Sequence, residues 1–483
     1  MDKIFNLLGV AVLCLSCDVK NRLPWTGDSQ IKPYEKNTAY WQYEGNPVLL
    51  LGATDNDNLF QNENVKEHLD SLKHAGGNYI RNTMSDRDEG DLHAFNVNTD
   101  GKYDLNKWND EYWQRFENMI KLAWERDIIV QIEVWDRFDH SRDPWKNDPY
   151  NPNNNINYSF LDSGLDSIYP LHPGQNVQPF FFTVPELNNN TILLKFQQMF
   201  VEKLLAISLK YDNILYCIDN ETSGSEEWAT YWAEFIKSYT SNKDIYITEM
   251  WDDWDVKSAT HKRTLDHPDR YRFIDISQNS QITGPENWRN AQYVFDYIRD
   301  NPRPVNSTKI YGSDKGSWLS RGITTKHAVN TFFRNILGGF ASSRFHRPPS
   351  GLGLSDISIN CIGTIRKIMT IVNMWDITPR MDLLEVNENS EVYLAAREGD
   401  CYVIYFTEPG TVKLNLSNYD ISFTLRWISV TDSGWKNETM IQGGKFVDIK
   451  TNLIGGAIAV LSVSPTRSPD NPSGHGTRIL SVF

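Results

Sequence analysis

The sequence predicts a parallel α/β fold, a (β/α)8 barrel, followed by a small antiparallel β-sandwich. Three observations carry this. Short apolar runs alternate with longer amphipathic ones eight times over some 330 residues. The pattern then changes near residue 384 to strands alone. The chain has 483 residues, 40% of them hydrophobic, which suits one barrel plus one smaller domain.

The first strand is read at Val48-Leu49-Leu50-Leu51, closed by Gly52-Ala53-Thr54-Asp55. A helix follows from Asn64 to Ala75, and Asn78-Tyr79-Ile80-Arg81 is strand two. Trp108, Tyr112, Phe116, Met119, Ile120 and Ala123 share one helix face. Ile128 to Val134 is strand three, and Asn213 to Ile218 is strand four, with Leu193, Phe196, Phe200, Leu204 and Ile207 marking the helix between them. Trp228, Tyr231, Trp232 and Phe235 mark the next helix. Strand five is Ile245 to Thr248, six Phe273 to Ile276, seven Lys309-Ile310-Tyr311 and eight Gly338 to Ser342, with helices over 287–299 and through Val329, Phe332, Phe333 and Ile336. A barrel over 41–380 accommodates eight strands better than an open sheet. No Gly-x-Gly-x-x-Gly follows strand one and no P-loop is present, so nucleotide folds lack their signatures. Strand-like runs at 391–396, 401–406, 411–416, 422–428, 446–449 and 457–461 give the sandwich, over 384–465. Residues 466–483, rich in Pro, Ser, Gly and Arg, read as a loose tail.

The amino terminus reads as an export signal over 1–17. Lys3 precedes an apolar run, Ile4 to Ser16, that is too short to span a bilayer. Leu15-Ser16-Cys17-Asp18 resembles a bacterial lipobox, although Cys14 stands where an aliphatic residue is usual. Lipidation of Cys17 and a membrane anchor are expected; plain secretion and a buried strand are the alternatives. Residues 18–40 read as a tether. The formal charge of -14 without a long basic run argues against a nucleic-acid partner. Cys217, Cys361 and Cys401 are isolated, with neither zinc spacing nor a disulfide framework. No metal and no cofactor are expected: Asp55-Asn56-Asp57-Asn58 has the residue types of a calcium loop but lacks its Gly and distal Glu.

In such a barrel the working residues lie at the C-terminal ends of the strands. Those ends carry Asp55, Arg81, Trp135 with Asp136 and Arg137, Asn220 with Glu221, Glu249 with Trp251 and Asp252, Gln278, Asp314 with Lys315, and Arg344 with His346 and Arg347. Carboxylates, amides, Trp and Arg at nearly every end suit a polyol ligand. Trp135, Trp145, Trp251, Trp254 and Trp318 are candidate stacking platforms, with core packing the plainer alternative. Arg81, Arg137, Arg142, Lys315, Arg321, Arg344, His346 and Arg347 could bind an anion, or each could pair with a neighbouring Asp.

Asn220-Glu221 at the end of strand four resembles the acid/base signature of the clan A glycoside hydrolases, and Arg81 after strand two resembles the clan arginine that orients the nucleophile. The stretch Asn335 to Arg347 is similar to one in barrel hydrolases of marine and gut Bacteroidetes, some of which act on red-algal galactans. The resemblance covers roughly residues 40–375. It implies cleavage of a carbohydrate, with Glu221 as acid/base, Asn220 on the substrate and Arg81 beside the nucleophile; from their places at the strand ends, Asp55, Trp135, Asp136, Trp251, Arg344 and His346 are further candidate substrate contacts. The expected substrate is a polysaccharide or oligosaccharide; if the basic residues of the mouth bind an anion, it is an anionic glycan, sulfated or uronic, with a sulfated galactan of carrageenan or agar type as the candidate that the resemblance adds. Cleavage needs a second carboxyl group, and here the sequence departs from the clan: strand seven ends in Tyr311-Gly312-Ser313-Asp314-Lys315, without a Glu. Asp314, Glu249 or another rim group is left to fill the role. The missing Glu also leaves open a second reading, a non-catalytic surface glycan-binding lipoprotein built on a hydrolase barrel. No Gly-x-Ser-x-Gly supports an esterase.

Overall fold

The computed structural model describes residues 29–239, 243–385 and 391–463. Six parallel strands are hydrogen-bonded in the spatial order five, four, three, two, one, eight: Ile247–Thr248, Ile214–Asn220, Ile129–Asp136, Tyr79–Thr83, Leu50–Ala53 and Ser342–Phe345. Ile274–Asp275 (six) and Val305–Asn306 (seven) pair with each other in parallel. Strand seven is laced to strand eight by Ala341 N–H to Val305 O, 2.8 Å, and Ile310 N–H to Arg344 O, 3.0 Å. Every residue of strands three and four is buried. That is why they read as near-continuous apolar runs, as strands covered on both faces do. Helices form where an apolar stripe follows a capping residue. Asn190, Ser225, Thr324 and Ser355 each accept a backbone N–H at the start of 191–208, 226–238, 325–337 and 356–368.

Several boundaries differ from expectation. Strand eight, expected over Gly338 to Ser342, is Ser342–Phe345, because Gly338 closes the preceding helix. The segment expected as tether to residue 40 already contains structure. Lys32–Tyr34, Asn37–Tyr43 and Asn46–Val48 form a three-stranded antiparallel sheet. It seals the N-terminal end of the barrel: Trp41 is buried against Tyr246 and Phe273, and its indole N–H donates to Asn306 Oδ1 at 3.0 Å. Strand seven begins at Val305, not Lys309, and its regular part ends at Asn306; Lys309–Tyr311 continue from it, with Ile310 bridging to Phe345 of strand eight. The C-terminal domain begins earlier than 384, with Thr378 pairing to Ala396. It comprises two antiparallel sheets of six and three strands, with a core that includes Tyr402, Ile404, Phe406, Leu414, Leu425, Ile449 and Leu461. Its strand Trp435–Gln442 went unread because nearly all of it is exposed. Cys217, Cys361 and Cys401 are buried free thiols. Cys17 and the tail 466–483 lie outside the described residues.

Candidate active site

Strand four ends in Asn220, and Glu221 follows with φ of 48°, in the left-handed region that a non-glycine residue occupies at a cost of about 1–2 kcal/mol. That turn lifts the Glu221 carboxylate into the mouth. One of its oxygens, Oε1, collects three donors. Gln278 Nε2 lies at 2.8 Å, the Lys309 ammonium at 3.0 Å, and the Tyr311 hydroxyl donates a short bond. Burial alone would raise the acid's pKa. The Lys309 charge and the bonds from Tyr311, Lys309 and Gln278 outweigh it and hold the pKa near 2. Glu221 is therefore ionised. Lys309 and Tyr311 stand on strand seven, where the clan resemblance leads one to expect a carboxylate.

A polar network lies under Glu221. Arg81, fully buried, donates Nε to Glu133 at 2.6 Å and Nη2 to Asn220 Oδ1 at 2.9 Å, and bonds Asp57 through Nη1. Asn220 in turn donates to Asp136 Oδ2 at 2.7 Å and accepts from Lys309. Asp57, itself buried, is held well below the ordinary carboxylate range: the charges of Arg81, Arg347 and Lys309 overcome its desolvation. His346 is buried edge-on to Tyr311, with ring centroids 4.9 Å apart, and desolvation keeps it neutral. Arg81, Asn220, Asp136 and His346 thus meet around Glu221 as one connected set. Gln278, Lys309 and Tyr311 join them. In sequence, Gln278 is marked only by its place after strand six, and Lys309 and Tyr311 only by theirs in strand seven.

The other expected residues lie elsewhere. Asp314 is exposed in a turn; its Oδ1 caps the helix of 325–337 by accepting Thr325 N–H at 3.0 Å. It lines a cleft of about 500 Å³ between that helix and the C-terminal domain, with Val329, Glu408, Thr431 and Ile454. Glu249 is sealed between strands four and five, accepting the N–H groups of Asp219 and Met250 at 3.0 and 2.9 Å. Its burial and the Asp219 charge raise its pKa, and no substrate reaches it. Asp55 ties the strand-one loop to Leu354 N–H at 2.8 Å. Arg344 is buried within the barrel on Thr308 O at 2.5 Å and on Thr54.

Trp135 packs outward against Phe200, Trp228 and Trp232, and Trp145 is wholly buried. Trp251 is buried with its N–H on Thr264 at 2.6 Å. None of the three can stack on a ligand. Trp318 is stacked on Tyr311 at 4.7 Å, and the Arg321 guanidinium lies 5.0 Å from its ring centroid. Trp254 is 62% exposed. Of the basic residues, Arg347 is spent on Asp57, and Arg137 on Thr222, Asn176 and the face of Phe181. Gly224 makes room for that guanidinium: a Cβ there would lie 2.1 Å from Arg137 Nη2.

Asp252 is the carboxylate that sequence reasoning passed over. The loops after strands four and five are zipped together, Thr222 N–H to Met250 O and Asp252 N–H to Thr222 O, both 2.8 Å. This sets Asp252, solvent-accessible at the rim, beside the Glu221 loop. Partial enclosure and then the Glu221 charge push its pKa up to about 6.

No family model matches the chain, and no curated protein does. Solved structures do match. A glycoside hydrolase family 5 protein from Bacteroides vulgatus aligns over 92% of this chain and 94% of its own, at 14% identity and a TM-score of 0.59. Another structure, described as a glycoside hydrolase, covers 92% of this chain and 99% of its own at 12% identity, with a TM-score of 0.61. The fold is that of glycoside hydrolase barrels. An α-amylase from Geobacillus thermoleovorans, complexed with acarbose, also aligns, over 91% and 98% at 12% identity and a TM-score of 0.53. Both domains of this chain are therefore spanned by single hydrolase chains.

Proposed function

We propose that this chain is a glycoside hydrolase acting on a polysaccharide or oligosaccharide, with Glu221 as the group that works on the glycosidic bond. One observation carries the reading. A carboxylate on a strained turn at the end of strand four is fixed by Lys309, Tyr311 and Gln278 at the barrel mouth. Outliers of this kind cluster at functional sites. The ionised state of Glu221 fits the base half of the acid/base role, or direct attack on the anomeric carbon. Arg81 and Asn220 hold the floor beneath it. Glu221→Gln should lower kcat by at least ~100-fold while the fold persists. The measurement is turnover of a panel of neutral and sulfated polysaccharides with the products sized. A Glu221→Gln protein as active as the wild type refutes the proposal.

An anionic galactan enters this reading through the exposed Arg142 and Lys315, and through Arg321 on the Trp318 face. Arg81, Arg137, Arg344 and Arg347 are engaged within the protein and do not support it. The glycan-binding alternative is favoured by one fact: an ammonium, not a carboxylate, faces Glu221 from strand seven. Binding of a glycan with no turnover, unaffected by Glu221→Gln, would select that alternative. Export and tethering through Cys17 complete the proposal. Cys17→Ala should shift the protein from the membrane fraction to the soluble one, and a wild type already soluble and starting beyond Cys17 removes the tether.

A further inference from the structure

We propose that Arg321, on the loop after strand seven, forms the subsite that reads an anionic substituent of the glycan, a sulfate ester or a uronate carboxylate, and that the amides of Gln278 and Gln281 tie it to Glu221. The ligand is a glycan only on the hydrolase reading above; the anion site itself stands on the bonds that hold Arg321.

Two short elements build it. Strand six runs into the 3-10 turn Ser277–Gln281. Side chains three residues apart eclipse in such a turn, so Gln278 and Gln281 lie together, and the Gln281 amide donates to Gln278 Oε1. Strand seven leads to the helix Gly316–Ser320, where Trp318 and Arg321 are likewise three apart and neighbours on one face. That loop is closed on itself by Ser313 N–H to Ile323 O and Ile323 N–H to Trp318 O, both 2.9 Å. Trp318 lies on Tyr311, whose hydroxyl bonds Glu221. The Arg321 guanidinium rests 5.0 Å from the Trp318 centroid and donates Nη2 to Gln281 Oε1 at 2.7 Å.

A guanidinium only donates and a carboxylate only accepts. Between these two ends the amides have one consistent orientation. Arg321 donates to Gln281, Gln281 to Gln278, and Gln278 to Glu221 at 2.8 Å. Arg321 is thus held from two sides, by an amide and by a ring, and neither neutralises it. Gln281 takes one of its N–H groups; the rest meet no acceptor, and no carboxylate pairs with it, among the described residues. Exposed arginines elsewhere are neutralised, Arg289 by Glu286 and Arg397 by Asp400. An unpaired, pre-oriented fork suits two oxygens of a sulfate or carboxylate, which a neutral hydroxyl does not match. Arg142 and Lys315 are the rivals. Neither side chain is bonded to a group that reaches Glu221: Arg142 leans on Phe138 at 5.7 Å, and the Lys315 ammonium has no hydrogen bond among the described residues.

The experiment reads binding, so it needs no turnover. The probes are carrageenan beside its desulfated form, which test sulfate, and polygalacturonate beside its methyl ester, which test carboxylate. Calorimetry on the full chain should show one anionic form bound at least ~10-fold more tightly than its neutral partner, the scale of hydrogen bonds to a charged group. Arg321→Gln should bring that preference to about 2-fold or less. Arg321→Lys keeps the charge, loses the fork and should fall in between, while Arg142→Gln and Lys315→Gln keep most of the preference. Phenylglyoxal modification, mapped by mass spectrometry, gives a second readout: Arg321 should react in the free protein and be shielded by the anionic probe, not by its neutral partner. Equal affinity for both forms, binding of neither, or equal weakening of both by Arg321→Gln overturns the assignment. So does a preference that Arg142→Gln or Lys315→Gln abolishes and Arg321→Gln spares. Anion-selective binding through Arg321 without cleavage of any glycan upholds the subsite and removes the hydrolase; cleavage that needs Glu221 but ignores Arg321 does the reverse.

Discussion

Lys309→Met should destabilise the protein in a way that depends on pH. In the wild type the Glu221 carboxyl sits near 2 against an ordinary 4.5. At about 1.4 kcal/mol per unit, the gap favours the ionised form by roughly 3 kcal/mol. A carboxyl whose folded pKa is depressed adds stability that is fully present above pH 4.5 and is lost as the pH falls toward 2. Removing the ammonium leaves Glu221 buried with only neutral donors, so its desolvation is no longer outweighed by a charge and its pKa rises. At pH 7 the variant carries an uncompensated buried carboxylate, which costs about 3 kcal/mol. At pH 4 Glu221 can take up a proton, and the deficit shrinks. The Lys309 bond to Asn220 is lost at both pH values and cancels in the comparison. Urea unfolding of wild type and Lys309→Met at pH 7 and pH 4 gives the two differences. An equal deficit at both would show that Lys309 acts by packing alone and that the Glu221 charge is not what it holds.

Two further outcomes follow from the same geometry. Asp314→Asn should keep turnover within about two-fold, because an amide oxygen caps Thr325 as well as a carboxylate does; a loss of ~100-fold with azide rescue would restore Asp314 as nucleophile. Arg81→Met should cost about 3–5 kcal/mol in denaturant unfolding, since Asp57 and Glu133 lose the charge that pairs them; a cost below 1 kcal/mol would mean that the network does not depend on Arg81.

The alternation of buried strands and capped helices was legible because both faces of each barrel strand are covered, so strands three and four could only be apolar runs. Strand seven was read late for the opposite reason. Val305-Asn306-Ser307-Thr308 is polar, and it is buried through specific bonds: Asn306 accepts the Trp41 N–H, and the Thr308 hydroxyl donates to Asp275 at 2.8 Å. Periodicity has no signal for a strand satisfied in that manner. Starting the strand four residues late hid the inward reach of Lys309 and Tyr311. Glu221, Asn220 and Arg81 were found because they end apolar runs. Asp252 was not singled out, since Glu249, Asp252 and Asp253 follow one strand and a single sequence does not say which is walled in. The Trp platforms failed on the same ambiguity: Trp135 and Trp251 adjoin the mouth in sequence, yet their rings turn into the layer between strands and helices.

The antiparallel sheet at the barrel's closed end bears on how the molecule is presented. Ile31 N–H bonds to Asp212 O at 2.9 Å, and the Gln30 side chain donates to Asp244 O at 2.5 Å. Both acceptors lie just before strands four and five, at the end opposite Glu221. Gln30 and Ile31 therefore lie at the floor of the barrel. An anchor at Cys17, as proposed, would then be joined to the molecule at the end opposite the mouth. A long polymer could then cross the opening without meeting the point of attachment.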